Sequence, residues 1–247
     1  MKVIKWENLP PEFKTEEVRK YYDILEKKKA SLFLKRLFDI VVSLLMLIIL
    51  FPVFLILAIA IKLDSKGPVF YRQERVTQYG RKFRIFKFRS MVQNADKGSL
   101  VTVGNDSRIT RMGKLIRKFR LDEISQLIDV LRGTMTFVGT RPEVPKYVDK
   151  YTDEMMATLL LPAGVTNLAC IYYKDEAMLL DGVADTDKAY IEQVLPGKMY
   201  YNLKSIENFG FWADIGTMFK TVFAVLGKEY KGDYIPEQEE TKVEILK

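Results

Sequence analysis

A chain of 247 residues, 48% hydrophobic and of formal charge +7, can bury one principal core while staying strongly basic. It has no histidine, which excludes an imidazole general base and any His-containing zinc site. A single cysteine, Cys170, excludes an internal disulfide, as expected in a reducing cytoplasm, and leaves chemistry to carboxylates, lysine, tyrosine or hydroxyls.

Residues 1–14 read as irregular, punctuated by Pro10-Pro11. Thr15 followed by Glu16, Glu17 and Val18 predicts a helix start with acids in its first turn. The amphipathic helix running on toward Ala30 presents Val18, Tyr21, Tyr22 and Leu25. Packing on the protein surface, lying on a membrane and pairing with another subunit are all open to it. Residues 40–61 are then 22 positions without a formal charge. At ~1.5 Å per helical residue they suffice to cross a ~30 Å hydrocarbon layer. Pro52 sits near the middle and predicts a kink, because proline removes a backbone N–H and clashes with the preceding turn. Lys27, Lys28, Lys29, Lys35 and Arg36 precede the run, and Lys62, Lys66, Arg72 and Arg75 follow it. A bitopic helix concentrates such residues on its cytoplasmic side. Cations on both flanks favour a bent segment that enters one leaflet and returns, over a spanning helix, a buried core helix or a secretory signal.

Residues 64–68 predict a turn. Val69-Phe70-Tyr71 and residues 82–91 predict the strands of a hairpin that turns near Gly80. Residues 94–105 read as a loop and 109–119 as a basic helix. A further helix is expected to start at or near Asp122, with Leu121, Ile124, Leu127, Ile128 and Leu131 on one face and Gly133 as its stop. A short helix at 145–160, a turn at Pro162-Ala163-Gly164, a helix at 206–226 and a charged tail at 228–247 complete the chain.

Residues 72–120 hold 14 Lys and Arg against three acids (Glu74, Asp96 and Asp106), an excess of +11. Such a block suits anionic headgroups, phosphate-bearing substrates or nucleic acid. Arg108, Arg111, Lys114, Arg117 and Lys118 recur at three- and four-residue spacing, which on a helix makes a continuous cationic ridge. Only Phe119 could stack a base there, so no nucleic-acid partner is expected. Lys87 and Arg89, two apart on a strand, project to one side. The Asp122-Glu123 pair follows the ridge, and Arg141 follows the next turn. Cations gathered around two acids hold them ionised and bind an anionic ligand alongside. With histidine absent, a carboxylate nucleophile working with a divalent cation is the indicated chemistry. Mg²⁺ suits one or two carboxylates, here Asp122 and Glu123, plus substrate phosphates.

The segments KFRSM (87–91), NDSRITRMGKLIRKFRLDEISQLIDVLRG (105–133) and GTRPE (139–143) resemble the bacterial sugar transferases. These are the monotopic phosphoglycosyl transferases that start glycan assembly on polyprenyl phosphate. The likeness runs from about Lys35 to Leu226, and Pro52 matches the proline of the family's re-entrant helix. There are departures: Phe51, Thr77, Thr140, Ala163 and Asn167 replace common family residues, and Phe119-Arg120 replaces a common Thr-Ser before the dyad.

The resemblance implies an α/β fold, mostly helical with a small β-hairpin or sheet, in a monotopic membrane protein with a proline-kinked re-entrant helix. It divides the chain into an N-terminal extension (1–34), the re-entrant helix (35–66), a cytoplasmic catalytic domain (67–227) and the tail. It implies Asp122 as covalent nucleophile and Glu123 as its acidic partner, with Mg²⁺. Lys87, Arg89, Arg108, Arg111, Arg117 and Arg141 are expected around the substrate phosphates. The expected partners are a UDP-sugar, polyprenyl phosphate, membrane lipids, downstream glycosyltransferases and a second copy in a homodimer. The expected location is the cytoplasmic face of a bacterial inner membrane.

Overall fold

The computed structural model describes residues 1–93, 95, 106–174 and 185–234. The expected loop at 94–105, apart from Ala95, and the tail beyond 234 lie outside the described residues. What is described is mostly helical, with two small two-stranded sheets.

Helix α1, Glu16–Lys27, is capped by Thr15, whose side chain accepts from the Val18 N–H. The predicted apolar face is the buried one. Val18, Tyr21, Tyr22 and Leu25 pack with Phe13, Leu160, Leu203 and Ile206 into one core cluster, so α1 is fixed to the body of the domain.

Helix α2, Lys29–Asp64, is 36 residues long and runs on through Pro52. Its most apolar stretch reaches a mean hydropathy of 3.3, and among the described residues it is the one helix long and apolar enough to cross a membrane. Ile48, Ile49, Phe51, Leu55 and Ile56 are each more than half exposed. Both ends of α2 are bonded to the rest of the chain. At the start, the Lys35 ammonium donates to the Val138 carbonyl at 2.6 Å and pairs with Asp214. The Arg36 guanidinium donates to the Val130 and Leu131 carbonyls at 2.8 Å each. Asp39 accepts from the Thr136 hydroxyl at 2.8 Å and the Phe137 N–H at 3.2 Å. These partners satisfy ions that would be costly to bury alone. At the far end, Arg89 donates to the Ser65 and Lys66 carbonyls at 2.7 Å each, and Asp64 accepts from the Met112 N–H at 2.9 Å. Between them, Leu57 and Ile61 bury against Phe88 and Ile116.

Strands β1, Phe70–Val76, and β2, Lys82–Phe88, form the predicted antiparallel hairpin, in register from Phe70↔Phe88 to Val76↔Lys82. Helix α3, Arg111–Lys118, begins at Thr110, whose hydroxyl accepts from the Gly113 N–H at 3.0 Å. Arg108 therefore falls outside the helix and off the predicted ridge. The next helix does not start at Asp122: a 3-10 turn, Ile124–Gln126, leads into α4, Leu127–Arg132, which Gly133 ends with φ 81°. The Asp122 carbonyl accepts from the Phe88 N–H and from the Ser125 hydroxyl, both at 3.1 Å, which ties the dyad's backbone to the end of β2. Asp129 secures the same junction, accepting from the Phe86 N–H at 2.8 Å.

The predicted turn at 162–164 is instead the entry to a strand. β3, Met135–Val138, and β4, Ala163–Thr166, pair in parallel. Their backbones are so close at Gly164 that a Cβ there would stand 2.1 Å from the Gly139 carbonyl oxygen. The helix predicted at 145–160 is three pieces: α5, Pro145–Val148; α6, Asp153–Met156; and a 3-10 turn, Ala157–Leu160. Thr152 restarts the chain there by capping the Met155 N–H. Beyond β4 come α7, Leu168–Tyr172, α8, Thr186–Ala189, and a π-helical turn, Tyr190–Val194, that feeds α9, Leu195–Glu207. The predicted helix at 206–226 is thus the end of α9 plus α10, Phe211–Val225, broken where Phe209 turns into the core and Gly210 is extended.

Candidate active site

Strand β1, the end of β2, the turn after α3 and the loop after β3 converge on a cleft of about 860 Å³. Nine Arg and Lys side chains and two carboxylates, Asp122 and Glu123, line it. Of the predicted phosphate-binding residues, Lys87, Arg89, Arg108, Arg117 and Arg141 are brought together on this cleft. Arg111 is not: it opens α3 on an exposed face away from the lining.

The two acids have different surroundings. The Glu123 side chain is 18% exposed, and its Oε1 accepts from the Arg141 guanidinium and lies 3.5 Å from the Lys87 ammonium. Burial pushes its carboxyl up, but Arg141 and Lys87 outweigh burial and hold it at about 2. Asp122 makes no ion pair among the described residues. Burial raises its carboxyl above the ordinary range; Lys87 opposes that rise and the neighbouring Glu123 charge reinforces it. Lys87 is in turn pushed below its usual value by burial and by Arg141, against the pull of both acids. The cleft therefore pairs one fixed anion with one carboxylate that is more basic than usual.

Two predicted residues have other engagements. Arg89 lines the cleft but spends its guanidinium on the carbonyls that end α2, so it ties α2 to the end of β2. Arg108 sits at the cleft wall, where it pairs with Asp106 at 2.6 Å and donates to the Ala95 carbonyl at 2.7 Å. Arg117 points its field at Asp122.

Behind Arg141 lies a buried network that sequence reasoning missed. Glu143, two residues on, accepts from the Tyr190 hydroxyl and from the Lys198 ammonium at 3.2 Å, and Lys198 also donates to the Tyr190 oxygen at 2.7 Å. All three residues are buried. Burial pushes the Glu143 carboxyl up, yet Lys198, Tyr190 and the Arg75 charge keep it below its usual value. Arg75, also on the cleft, donates to the Pro142 carbonyl at 3.1 Å, and the Val76 N–H donates to the Glu143 carbonyl at 3.0 Å. The loop bearing Arg141 is thus held by β1 on one side and by α9 on the other. Glu143 stood in the GTRPE segment; Tyr190 and Lys198 lie in no recognisable motif.

Two adjacent carboxylates, one of them without an ion-pair partner, beside cations that would hold substrate phosphates, fit a hard, oxygen-seeking divalent cation. Among the described residues there is no group of three His, Cys, Asp or Glu side chains that would form an all-protein cage.

Comparison with known proteins shows the family. A profile of the bacterial sugar transferase family matches residues 30–228. The UDP-N-acetylgalactosamine-undecaprenyl-phosphate N-acetylgalactosaminephosphotransferase of Aeromonas hydrophila is 36% identical over 198 residues, 78% of this chain and 44% of that protein. The undecaprenyl-phosphate galactose phosphotransferase of Salmonella typhimurium is 34% identical over 218 residues, 82% of this chain and 42% of that protein. The UDP-glucose:undecaprenyl-phosphate glucose-1-phosphate transferase of Klebsiella pneumoniae is 36% identical over 195 residues, 76% of this chain and 39% of that protein. The chain spans less than half the length of each of these relatives. A match across most of this chain, with the matched stretch holding nearly all of α2, the hairpin and the acid pair, settles the family: the chain belongs to the bacterial sugar transferases.

Proposed function

We propose that the protein transfers a sugar 1-phosphate from a UDP-sugar to polyprenyl phosphate at the cytoplasmic face of a bacterial inner membrane, the first membrane step of glycan assembly. The observation that carries this reading is the unequal acid pair. Asp122 is a half-buried carboxylate without an ion-pair partner among the described residues, set in a cationic cleft beside a Glu123 already neutralised by Arg141 and Lys87. The relatives' names mention N-acetylgalactosamine, galactose and glucose, which supports a UDP-hexose or UDP-N-acetylhexosamine donor.

In the proposed reaction an Asp122 carboxylate oxygen attacks the phosphorus that bears the sugar. That oxygen–phosphorus bond forms as the bond to the bridging oxygen breaks, and UMP leaves with the electron pair. A phosphate oxygen of the polyprenyl acceptor then attacks the same phosphorus. The aspartyl bond breaks, and Asp122 is regenerated as a carboxylate. Its raised basicity favours the first step, and the covalent route splits one difficult displacement into two. Arg117 and Arg141 offset charge on the phosphate oxygens, the main need of a loose phosphoryl transition state. Glu123 holds Arg141 and Lys87 in position. Mg²⁺, held by Asp122 and Glu123, would supply further charge neutralisation at the phosphates.

A re-entrant anchor fits one soluble and one lipid-confined substrate. Its support is that both ends of α2 are bonded to one catalytic domain, and that Leu57 and Ile61 pack on the residues beneath the acid pair. Downstream glycosyltransferases and a homodimer remain part of this proposal.

The test is mass spectrometry of purified protein incubated with Mg²⁺ and a panel of UDP-sugars, without acceptor. The expected result is one phosphosugar added at Asp122 with stoichiometric UMP. Folded protein that yields neither with any UDP-sugar overturns the covalent scheme, and an active Asp122→Asn variant overturns the nucleophile.

A further inference from the structure

The turn that delivers Asp122 to the cleft contains an anomaly. After α3, the Leu121 N–H donates to the Ile116 carbonyl at 2.9 Å and the Arg120 N–H to the Arg117 carbonyl at 3.1 Å. That pair of bonds is a Schellman ending, and Leu121 and Ile116 meet in the same apolar cluster, as the motif requires. The residue just past the helix in this motif must be left-handed, a position that glycine fills at no steric cost and most other residues fill at some cost. Here it is Arg120, at φ 51°.

A long cation in a position suited to glycine calls for a compensating gain. Arg120 shows none within the protein. Its side chain is exposed and makes no hydrogen bond or ion pair among the described residues. What it does is line the cleft and add positive field at Glu123. A merely solvated cation could stand at any exposed position of α3 without backbone strain. Strain of this kind persists where the surroundings determine it, and such positions cluster at ligand sites.

We propose that Arg120 is a substrate-binding residue: its guanidinium is a phosphate ligand completed by substrate, placed by the left-handed turn next to the acid pair. This rests on the transfer reaction proposed above. Two substrates carry phosphate, the nucleotide diphosphate donor and the polyprenyl phosphate acceptor, and guanidinium recognition of phosphate oxygens is common to both.

The deciding variant is Arg120→Gly, which is compatible with the left-handed turn and removes the side chain with its guanidinium. Binding of UDP and of a short-chain polyprenyl phosphate is measured by calorimetry on detergent-solubilised protein, alongside thermal unfolding. The expected result is an affinity lowered about tenfold for at least one ligand, with a melting temperature unchanged or raised by about 2–4 °C. Loss for UDP alone assigns Arg120 to the donor, loss for the lipid phosphate alone to the acceptor, and loss for both to a phosphate position they share. Arg120→Lys should recover part of the affinity, since it restores the charge without the fork. Unchanged affinity for both ligands overturns the proposal, as does lost affinity accompanied by a lower melting temperature, which would mark a structural role. Because binding is read directly, a wild-type protein that binds UDP without releasing UMP from UDP-sugars refutes the transfer reaction while leaving Arg120 tested.

Discussion

The Arg141–Glu123 pair allows a quantitative test of how the cleft is assembled. A Glu123 carboxyl held at about 2 against an ordinary 4.5 corresponds to about 3 kcal/mol of net stabilisation of its ionised form, after burial has been overcome. Arg141→Met removes the closer cation and leaves Lys87, 3.5 Å away, as the remaining partner. Breaking a fully buried pair costs about 3–5 kcal/mol; with Arg141 one-third exposed, about 2 kcal/mol is expected here. For a chain of this size that lowers the melting temperature by roughly 4–8 °C. Glu123→Gln should cost a similar amount, because it leaves Arg141 and Lys87 facing each other without the anion between them. The double variant should be little worse than either single one, giving a coupling of about 1–2 kcal/mol in a double-mutant cycle. The pH dependence follows from the lowered carboxyl. The stabilisation is fully present above pH 4.5 and is lost as pH falls toward 2, so wild type and Arg141→Met should converge in that window. Thermal unfolding in detergent across pH 2–8 makes the measurement. Strictly additive losses, or a gap between the two proteins that stays constant down to pH 2, would refute the assignment of Arg141 as the group that holds Glu123 ionised.

Lys198→Met should destabilise the protein by about 3 kcal/mol, since it leaves the buried Glu143 charge with Tyr190 and the more distant Arg75, and Lys198→Met with Glu143→Gln should recover much of the loss in the same thermal assay. Asp122→Asn should end UMP release without lowering the melting temperature at neutral pH. Its carboxyl is raised by burial, so the stability of the protonated form is present below pH 3.8 and lost as pH rises through the folded value, a loss the amide avoids. Gly164→Ala should sharply reduce the yield of folded protein in size-exclusion chromatography, because the new Cβ collides with the Gly139 backbone rather than with a side chain that can move.

What the sequence made legible were the features written in local periodicity. The apolar face of α1, the hairpin, the start of α3 near Thr110 and the stop at Gly133 each depend on neighbours a few residues away. β3 and β4 escaped because two four-residue strands, β3 wholly and β4 half buried, lack the alternation that marks a half-exposed strand. The pieces between 145 and 160 escaped because Thr152 restarts a helix inside a stretch that otherwise reads as continuous. The acids and most of the cations of the cleft were nameable, but what each cation binds was not. Lys87, Arg89 and Arg108 look alike in sequence; only the fold puts one on Glu123, one on the carbonyls that end α2 and one on Asp106.

That division of labour bears on why so many cations surround two acids. A cleft whose every arginine was free would repel itself in the absence of substrate, and one whose every arginine was paired could not bind a diphosphate. The structure lies between these limits. Arg75, Arg89 and Arg108 are bonded to carbonyls, an amide oxygen or an acid, and they fix the walls. Arg141 and Lys87 neutralise Glu123. Arg117 and Arg120 make no side-chain hydrogen bond or ion pair among the described residues and face the acids from the last turn of α3 and the turn that follows it. The positive charge left over at Asp122 is therefore carried by the segment that also presents Asp122. A change in that turn should alter phosphate binding and the reach of Asp122 together, whereas a change at Arg89 should alter how α2 meets the domain.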